Sequence, residues 1–339
     1  MVERKRFEWK LPSRTLQLGD SALVVGVLNI TPDSFSDGGK YSDPDRAYAR
    51  ALEIEELGAD VLDIGAESTR PGSTPVPEAE ELRRLVPILK KLQGKLKIPI
   101  SVDTYKAAVA EKAAGYGAEI INDPSGFTWD TNLAKTVSHH QMGFMLNHMR
   151  GTPQTWAKLG PIKDLIVTVR QDLEASISRA LRAGVDKSRI VIDPGIGFGK
   201  RREQNAELLA HLGAFTTLGA PILIGPSRKQ FLKQETERET EFATAAAVTA
   251  AILNGAHLVR VHDVAAMKAV VAVAEAIFRA GIVVAKDEEE KPKVPKGPLV
   301  DPGVNRMHSL ANRPHESLSK RLRPSPSPNR GPNRRPPSR

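Results

Sequence analysis

The chain has 339 residues and a formal net charge of +9, but 13 of its 49 basic residues, 6 of its 40 acidic residues and 11 of its 25 prolines fall from Lys286 onward, which leaves the body nearly neutral. It contains no cysteine, which excludes disulfides, thiolate metal sites and cysteine nucleophiles. No apolar run reaches the roughly 18 residues that a membrane span needs, and MVERKRFEWK lacks a signal-peptide apolar segment, so a cytoplasmic chain with no membrane partner is expected. In chain order, residues 1–20 alternate apolar and polar and predict a small hairpin that closes the bottom of the domain. Short β-branched runs then recur at Ala22–Ile30, Asp60–Ile64, Ile98–Asp103, Ala118–Asn122, Met142–Asn147, Arg189–Asp193, Pro221–Gly225 and His257–Val261. Between them lie segments with helical spacing of apolar residues, among them Pro44–Leu57, Glu78–Leu92, Lys106–Gly115, Ile162–Ala183 and Glu239–Leu253. Eight such units over residues 21–284 predict an α/β chain folded as a (β/α)8 TIM barrel. A doubly wound dinucleotide fold is disfavoured, because no G-x-G-x-x-G follows the first strand.

Residues 285–339 are rich in Pro, Arg, Ser and Asn and poor in large apolar side chains, a composition that predicts a disordered basic tail. Its charge could attract RNA, but no aromatic side chains interleave the arginines, so a solvated tail is the expectation and nucleic acid is not an expected partner except through that tail.

In such a barrel, chemistry sits where the strands end. Every predicted strand here ends in a polar group: Asn29; Asp63 with Glu67–Arg70; Asp103; Asn122 and Asp123; Asn147 and His148; Asp193; Ser227, Arg228 and Lys229; Arg260, His262 and Asp263. One Asp or Asn at a strand end is an ordinary turn or cap residue. Eight converging on one rim predict a site. Arg70, Arg228, Lys229, Arg260 and His262 suit a phosphate or carboxylate, whereas Asp103, Asn122 and Asp193 suit the donors and acceptors of a flat heterocycle. The two sets together fit a heteroaromatic phosphate ester. The glycines of DPGIGFGK (193–200) lack phosphate-loop spacing and suggest close backbone approach instead.

The segments LNITPDSFSDGG (28–39), GADVLDIGAESTRPGS (58–73), ISVDTYK (100–106), INDPSGF (121–127), DPGIGFGK (193–200), GPSRKQF (225–231) and RVHDV (260–264) closely resemble the dihydropteroate synthases, in the family's order and over about residues 14–282. The resemblance implies condensation of 6-hydroxymethyl-7,8-dihydropterin diphosphate with para-aminobenzoate, with Mg²⁺ as cofactor and a homodimer as the assembly. It implies that Asp103, Asn122, Asp193, Phe198 and Lys229 hold the pterin, and that Asn29, Arg70, Arg260 and His262 surround the diphosphate, with Asn29 at the metal. Asp103, Asp193, Lys229, Arg260 and His262 are the implied catalytic set. Asp33, Phe35, Asp37, Thr69, Pro71 and Gln230 are implied to form the para-aminobenzoate site and its two closing loops. Three positions depart from the family's pattern: Asn147 in place of Met, Gln230 in place of Ser, and Pro124. A pterin-binding methyltransferase domain shares the barrel but needs neither the diphosphate set nor those loops. A weakly active barrel with an RNA-binding tail is the other alternative.

Overall fold

The computed structural model describes the backbone of residues 1–31 and 43–290, with side chains through Gly281. Asp33, Phe35 and Asp37, and the tail from residue 291 onward, lie outside the described residues.

The chain opens with an antiparallel hairpin, β1 (Phe7–Lys10) and β2 (Thr15–Leu18), registered with Phe7 opposite Leu18. Eight parallel strands follow: β3 (Leu23–Asn29), β4 (Val61–Gly65), β5 (Ile100–Asp103), β6 (Ile120–Asp123), β7 (Gly143–Asn147), β8 (Ile190–Asp193), β9 (Leu223–Ile224) and β10 (Leu258–Val261). The strand order is β8-β7-β6-β5-β4-β3-β10-β9. A single parallel bridge, Ile192 to Ile222, with the Ile192 amide donating to the Pro221 carbonyl at 2.9 Å, joins β8 to β9 and completes the circle. Pro221 has no amide to extend this pairing, which is one reason β9 is shorter than the β-branched run Pro221–Gly225 predicts.

The helices are α1 (Pro44–Glu56), α2 (Glu78–Leu92), α3 (Ala107–Gly115), α4 (Leu133–His139), α5 (Leu165–Arg182), α6 (Arg202–Ala210), α7 (Glu237–Leu253) and α8 (Val264–Glu290). Two begin on strong local signals. Asp43 accepts the amides of Asp45 and Arg46 and precedes Pro44, whose fixed φ suits a first helical position. Thr236 and Glu239 form a reciprocal capping box at the start of α7. The last helix runs to Glu290, past the expected boundary at residue 284.

The barrel interior has an apolar floor. Val25, Val61, Ile120, Met145, Val191, Leu223 and Leu258 point inward and pack on Trp9, Leu11 and Leu18 of the hairpin region. Trp9 is fully buried and its indole donates to the Arg189 carbonyl at 2.8 Å, so the hairpin plugs the N-terminal end as the alternation of residues 1–20 predicts. The wall side chains that alternate with these pack under the helices in a separate, larger core.

Candidate active site

Side chains on a strand repeat their direction every second residue. Two positions beyond the floor residues Val61, Ile120, Met145, Val191 and Leu258 stand Asp63, Asn122, Asn147, Asp193 and Arg260. The same period therefore seals one end of the barrel and lines the other with polar groups. Gly225, two beyond Leu223, leaves room at its position: a side chain there would begin 3.6 Å from the Cβ of Arg260.

Arg260 is the hub of this layer. Its Nε donates to Asp63 Oδ2 at 2.6 Å and one terminal nitrogen donates to Asp103 Oδ2 at 3.0 Å. Asn122 Nδ2 donates to the same Asp63 oxygen at 3.0 Å, which orients the Asn122 amide. Asp63 is fully buried. Burial pushes the Asp103 carboxyl well up from the usual carboxylate range, with Arg260 pulling the other way. Asp193 accepts the Gly195 amide at 2.7 Å, and burial raises it to about 6. Lys229 holds its ammonium 4.0 Å above the Phe198 ring, which stands edge-on to Trp156. Burial, with Arg260 close by, lowers Lys229 to about 8. His262 follows β10 and is pushed well below the usual histidine range by burial and by Arg228, Arg260, Lys229 and Arg70. It also lines a cavity of about 360 Å³ with Arg50, Glu53, Arg228 and Asp263.

The expected pterin residues Asp103, Asn122, Asp193, Phe198 and Lys229 thus converge on the barrel mouth. Asn29 ends β3 beside Gly65, where a side chain would begin 3.4 Å from the Asn29 Oδ1. Thr69 and Arg70 are half-buried and Pro71 is exposed, in a loop that turns back through Ser73 N–H to Arg70 C=O and rests on the Pro153 carbonyl through the Gly72 amide. Gln230 is exposed and starts a 3-10 turn, Gln230–Leu232. Two rim residues stand apart. Arg228 is exposed and pairs with Glu241 at 2.5 Å, while Asp123 turns away from the mouth to accept the amides of Ser125 and Phe127.

Arg228 has φ +57, a left-handed conformation that costs a non-glycine residue about 1 kcal/mol or more. Its amide on Thr244 Oγ1 and its guanidinium on Glu241 hold it there, and the next residue, Lys229, faces the mouth. The two unusual residues Pro124 and Asn147 meet each other: the Asn147 Nδ2 donates to the Pro124 carbonyl at 2.7 Å. Sequence reasoning missed the anchor of the glycine loop. Lys200 donates into the carbonyls of Gly195 (2.7 Å), His148 (3.1 Å) and Phe198 (3.2 Å) and lies 2.9 Å from His148 Nδ1, while His148 Nε2 donates to Asp172 at 3.0 Å. Burial lowers Lys200 to about 7 and His148 to about 4. Gly195 is essential to this wrap, since a side chain there would begin 1.9 Å from the His148 carbonyl oxygen.

A second cavity, about 460 Å³, lies at the opposite end and is lined by Pro12, Arg14, Tyr116, Glu119, His140 and Met142. It contains none of the rim groups.

An eight-stranded barrel with an apolar floor, a carboxylate-amide-lysine mouth and a cationic rim defines a pterin-binding enzyme, and the family model described as pterin binding enzyme matches residues 25–262. Among individual relatives, the dihydropteroate synthase of Synechocystis is 43% identical over 265 residues, covering 77% of this chain and 92% of the relative. That of Mycobacterium leprae is 42% identical over 272 residues, covering 76% and 94%. The Xanthomonas albilineans dihydropteroate synthase solved with 4-aminobenzoic acid superposes with a TM-score of 0.74 at 39% identity, covering 80% of this chain and 98% of the other. A Clostridium difficile dihydropteroate synthase solved in the presence of pteroic acid gives 0.71 at 40% identity, covering 77% and 98%. The chain belongs to the dihydropteroate synthases, a family of transferases.

Proposed function

We propose the following assignment of work within the dihydropteroate synthase reaction, in which 6-hydroxymethyl-7,8-dihydropterin diphosphate and para-aminobenzoate give 7,8-dihydropteroate and pyrophosphate. The observation that carries it is the convergence of Asp103, Asn122, Asp193 and Lys229 around Arg260 at the barrel mouth. Asn122 and the two carboxylates offer the alternating acceptors and donor that the edge of a pterin requires, and the Lys229 ammonium donates to a ring acceptor. Phe198, under Lys229, supplies an apolar face.

The diphosphate is assigned to Arg70 and Arg260, which neutralise charge, and to His262, which donates a hydrogen bond, as the bond from methylene carbon to diphosphate oxygen breaks and the oxygen leaves with the electron pair. Asp103 and Asp193 stabilise the positive charge left on the pterin methylene more than they stabilise the neutral substrate, which lowers the barrier. The arylamine nitrogen then forms the new bond and releases its proton to solvent. An arylamine is neutral near pH 7, so no strong base is needed.

The donor set is compatible with Mg²⁺. Among the described residues no group of three His, Asp or Glu side chains could hold a metal by itself. Asn29 offers one hard oxygen beside Gly65, which carries no side chain to crowd it, and Mg²⁺ is characteristically held by few protein oxygens together with substrate phosphates and water. When bound, the ion would screen the charge of the departing diphosphate.

Para-aminobenzoate is assigned to the loop with Thr69 and Pro71, to Gln230, and to Asp33, Phe35 and Asp37. We further propose a homodimer built on α7 and α8, where the exposed apolar side chains Phe242, Val273 and Ile277 lie on two helices packed together. A cytoplasmic location is assigned with it. Among the described residues no helix is long and apolar enough to cross a membrane.

The test is pyrophosphate release from the pterin diphosphate with and without para-aminobenzoate. Turnover that requires both substrates, and that is lost in Lys229→Ala and Asp103→Asn with unchanged far-UV circular dichroism, is the expected result. Retention of turnover within a few-fold in either variant refutes the assignment.

A further inference from the structure

Ser227 lies between the glycine that makes room for Arg260 and the left-handed Arg228, and its side chain is buried. Its Oγ touches His262 twice: the His262 backbone N–H donates to it at 3.3 Å, and His262 Nδ1 lies 2.9 Å away. Among the described residues this oxygen has no other hydrogen-bond partner.

A serine hydroxyl has one proton to give and two lone pairs to offer. The His262 amide takes a lone pair. The hydroxyl proton must then go to Nδ1, because the reverse arrangement, with Nδ1–H donating to Oγ, leaves the serine proton buried without an acceptor. A doubly protonated ring has the same defect and adds a charge beside Arg228, Arg260, Lys229 and Arg70. With Nδ1 accepting, the ring proton of a neutral His262 sits on Nε2.

We propose that Ser227 is a positioning residue for the reaction: by donating to Nδ1 it fixes the tautomer and rotation of His262, so that Nε2–H is presented as a neutral donor to the leaving diphosphate. The inference rests on the assignment of His262 to the diphosphate. It gives Ser227 no contact with substrate. Removing its hydroxyl leaves Nδ1 a buried acceptor without a donor and frees the ring to turn. The loss expected is about tenfold in kcat, typical of removing an outer partner that orients an imidazole, with a smaller change in KM for the pterin substrate.

Four measurements test this in the full chain. Two-bond ¹H–¹⁵N spectra of histidine-labelled protein should show His262 protonated on Nε2 and hydrogen-bonded at Nδ1; a proton on Nδ1 overturns the proposal. Ser227→Ala should lower kcat about tenfold and Ser227→Thr, which keeps the hydroxyl, should restore most of it. In a His262→Gln background Ser227→Ala should have no further effect; an equal loss in both backgrounds assigns Ser227 a merely structural role and overturns the proposal. Pyrophosphate affinity of His262→Ala separates the two layers. Weakened binding supports the presentation of Nε2–H to the diphosphate, whereas parental binding overturns that assignment, and the nitrogen spectra still decide what Ser227 does to the ring.

Discussion

Asp63 bears the most interactions among the fully buried groups at the mouth, and its removal can be worked through in numbers. Its Oδ2 takes hydrogen bonds from Arg260 Nε at 2.6 Å and from Asn122 Nδ2 at 3.0 Å. Deleting one partner of a buried ion pair costs about 3–5 kcal/mol when the other is left alone. Arg260 keeps Asp103, so the lower end applies, about 3 kcal/mol. The unpaired Asn122 amide adds about 1 kcal/mol. Asp63→Ala is therefore expected to lose roughly 4 kcal/mol, and Asp63→Asn, which preserves volume and one neutral bond, about half of that. With a urea slope of about 3 kcal/mol/M, the alanine midpoint falls by about 1.3 M in far-UV circular dichroism. The same change frees Asn122 to rotate, so pterin affinity falls by about tenfold, or 1.4 kcal/mol, in calorimetric titration. A midpoint within about 0.3 M of the parent, together with unchanged pterin affinity, would refute the hub.

Three further outcomes are expected. The pH profile of kcat/KM should be bell-shaped: burial raises Asp103 to about 7 and Asp193 to about 6 and lowers Lys229 to about 8, so the rate falls as pH drops through 7 toward 6 and the two carboxylates gain protons, and falls above about 8 as the amine loses its own. Lys229→Arg should move only the alkaline limb upward; a limb that stays in place assigns it to another group. Para-aminobenzoate should bind at least about tenfold more tightly with Mg²⁺ and pyrophosphate present than without, and Arg70→Ala should remove most of that coupling; equal affinities by calorimetry exclude the anion as the organiser of the loop. Removal of residues 292–339 should leave the urea midpoint and turnover unchanged, because the eight barrel strands and the polar rim groups described above all lie within residues 23–263; a fall in either shows that the segment supports the barrel.

The strands were legible because β-branched runs between helical spacings repeat eight times, and the rim because each run ends in a polar residue. What the sequence could not show is how those residues pair. Asp63 looks like any strand-end aspartate until the register places Asn122 and Arg260 against it. Asp123 and Arg228 looked equal to their neighbours Asn122 and Lys229, and the two-residue period of a strand and one left-handed φ separated them. The departures Asn147 and Pro124 stood as two unrelated changes, 23 positions apart, and the hydrogen bond between them makes them one feature. Lys200 carried no signal of its own: the glycines around it pointed to close backbone approach, and only the fold shows the lysine donating into the loop's carbonyls.

The circle of strands is held on seven sides by ladders of two or more residue pairs and on the eighth by one bridge, between Ile192 and Ile222. Asp193 stands at the end of one strand flanking that join, and Lys229 follows the other. On the assignment proposed above, a bound pterin touches both, so substrate acts as a rivet across the weakest stave of the barrel. Occupancy then does mechanical work as well as chemical: the amide of Ile192, guarded by a solitary carbonyl in the empty protein, should exchange its proton more slowly once the pterin is in place.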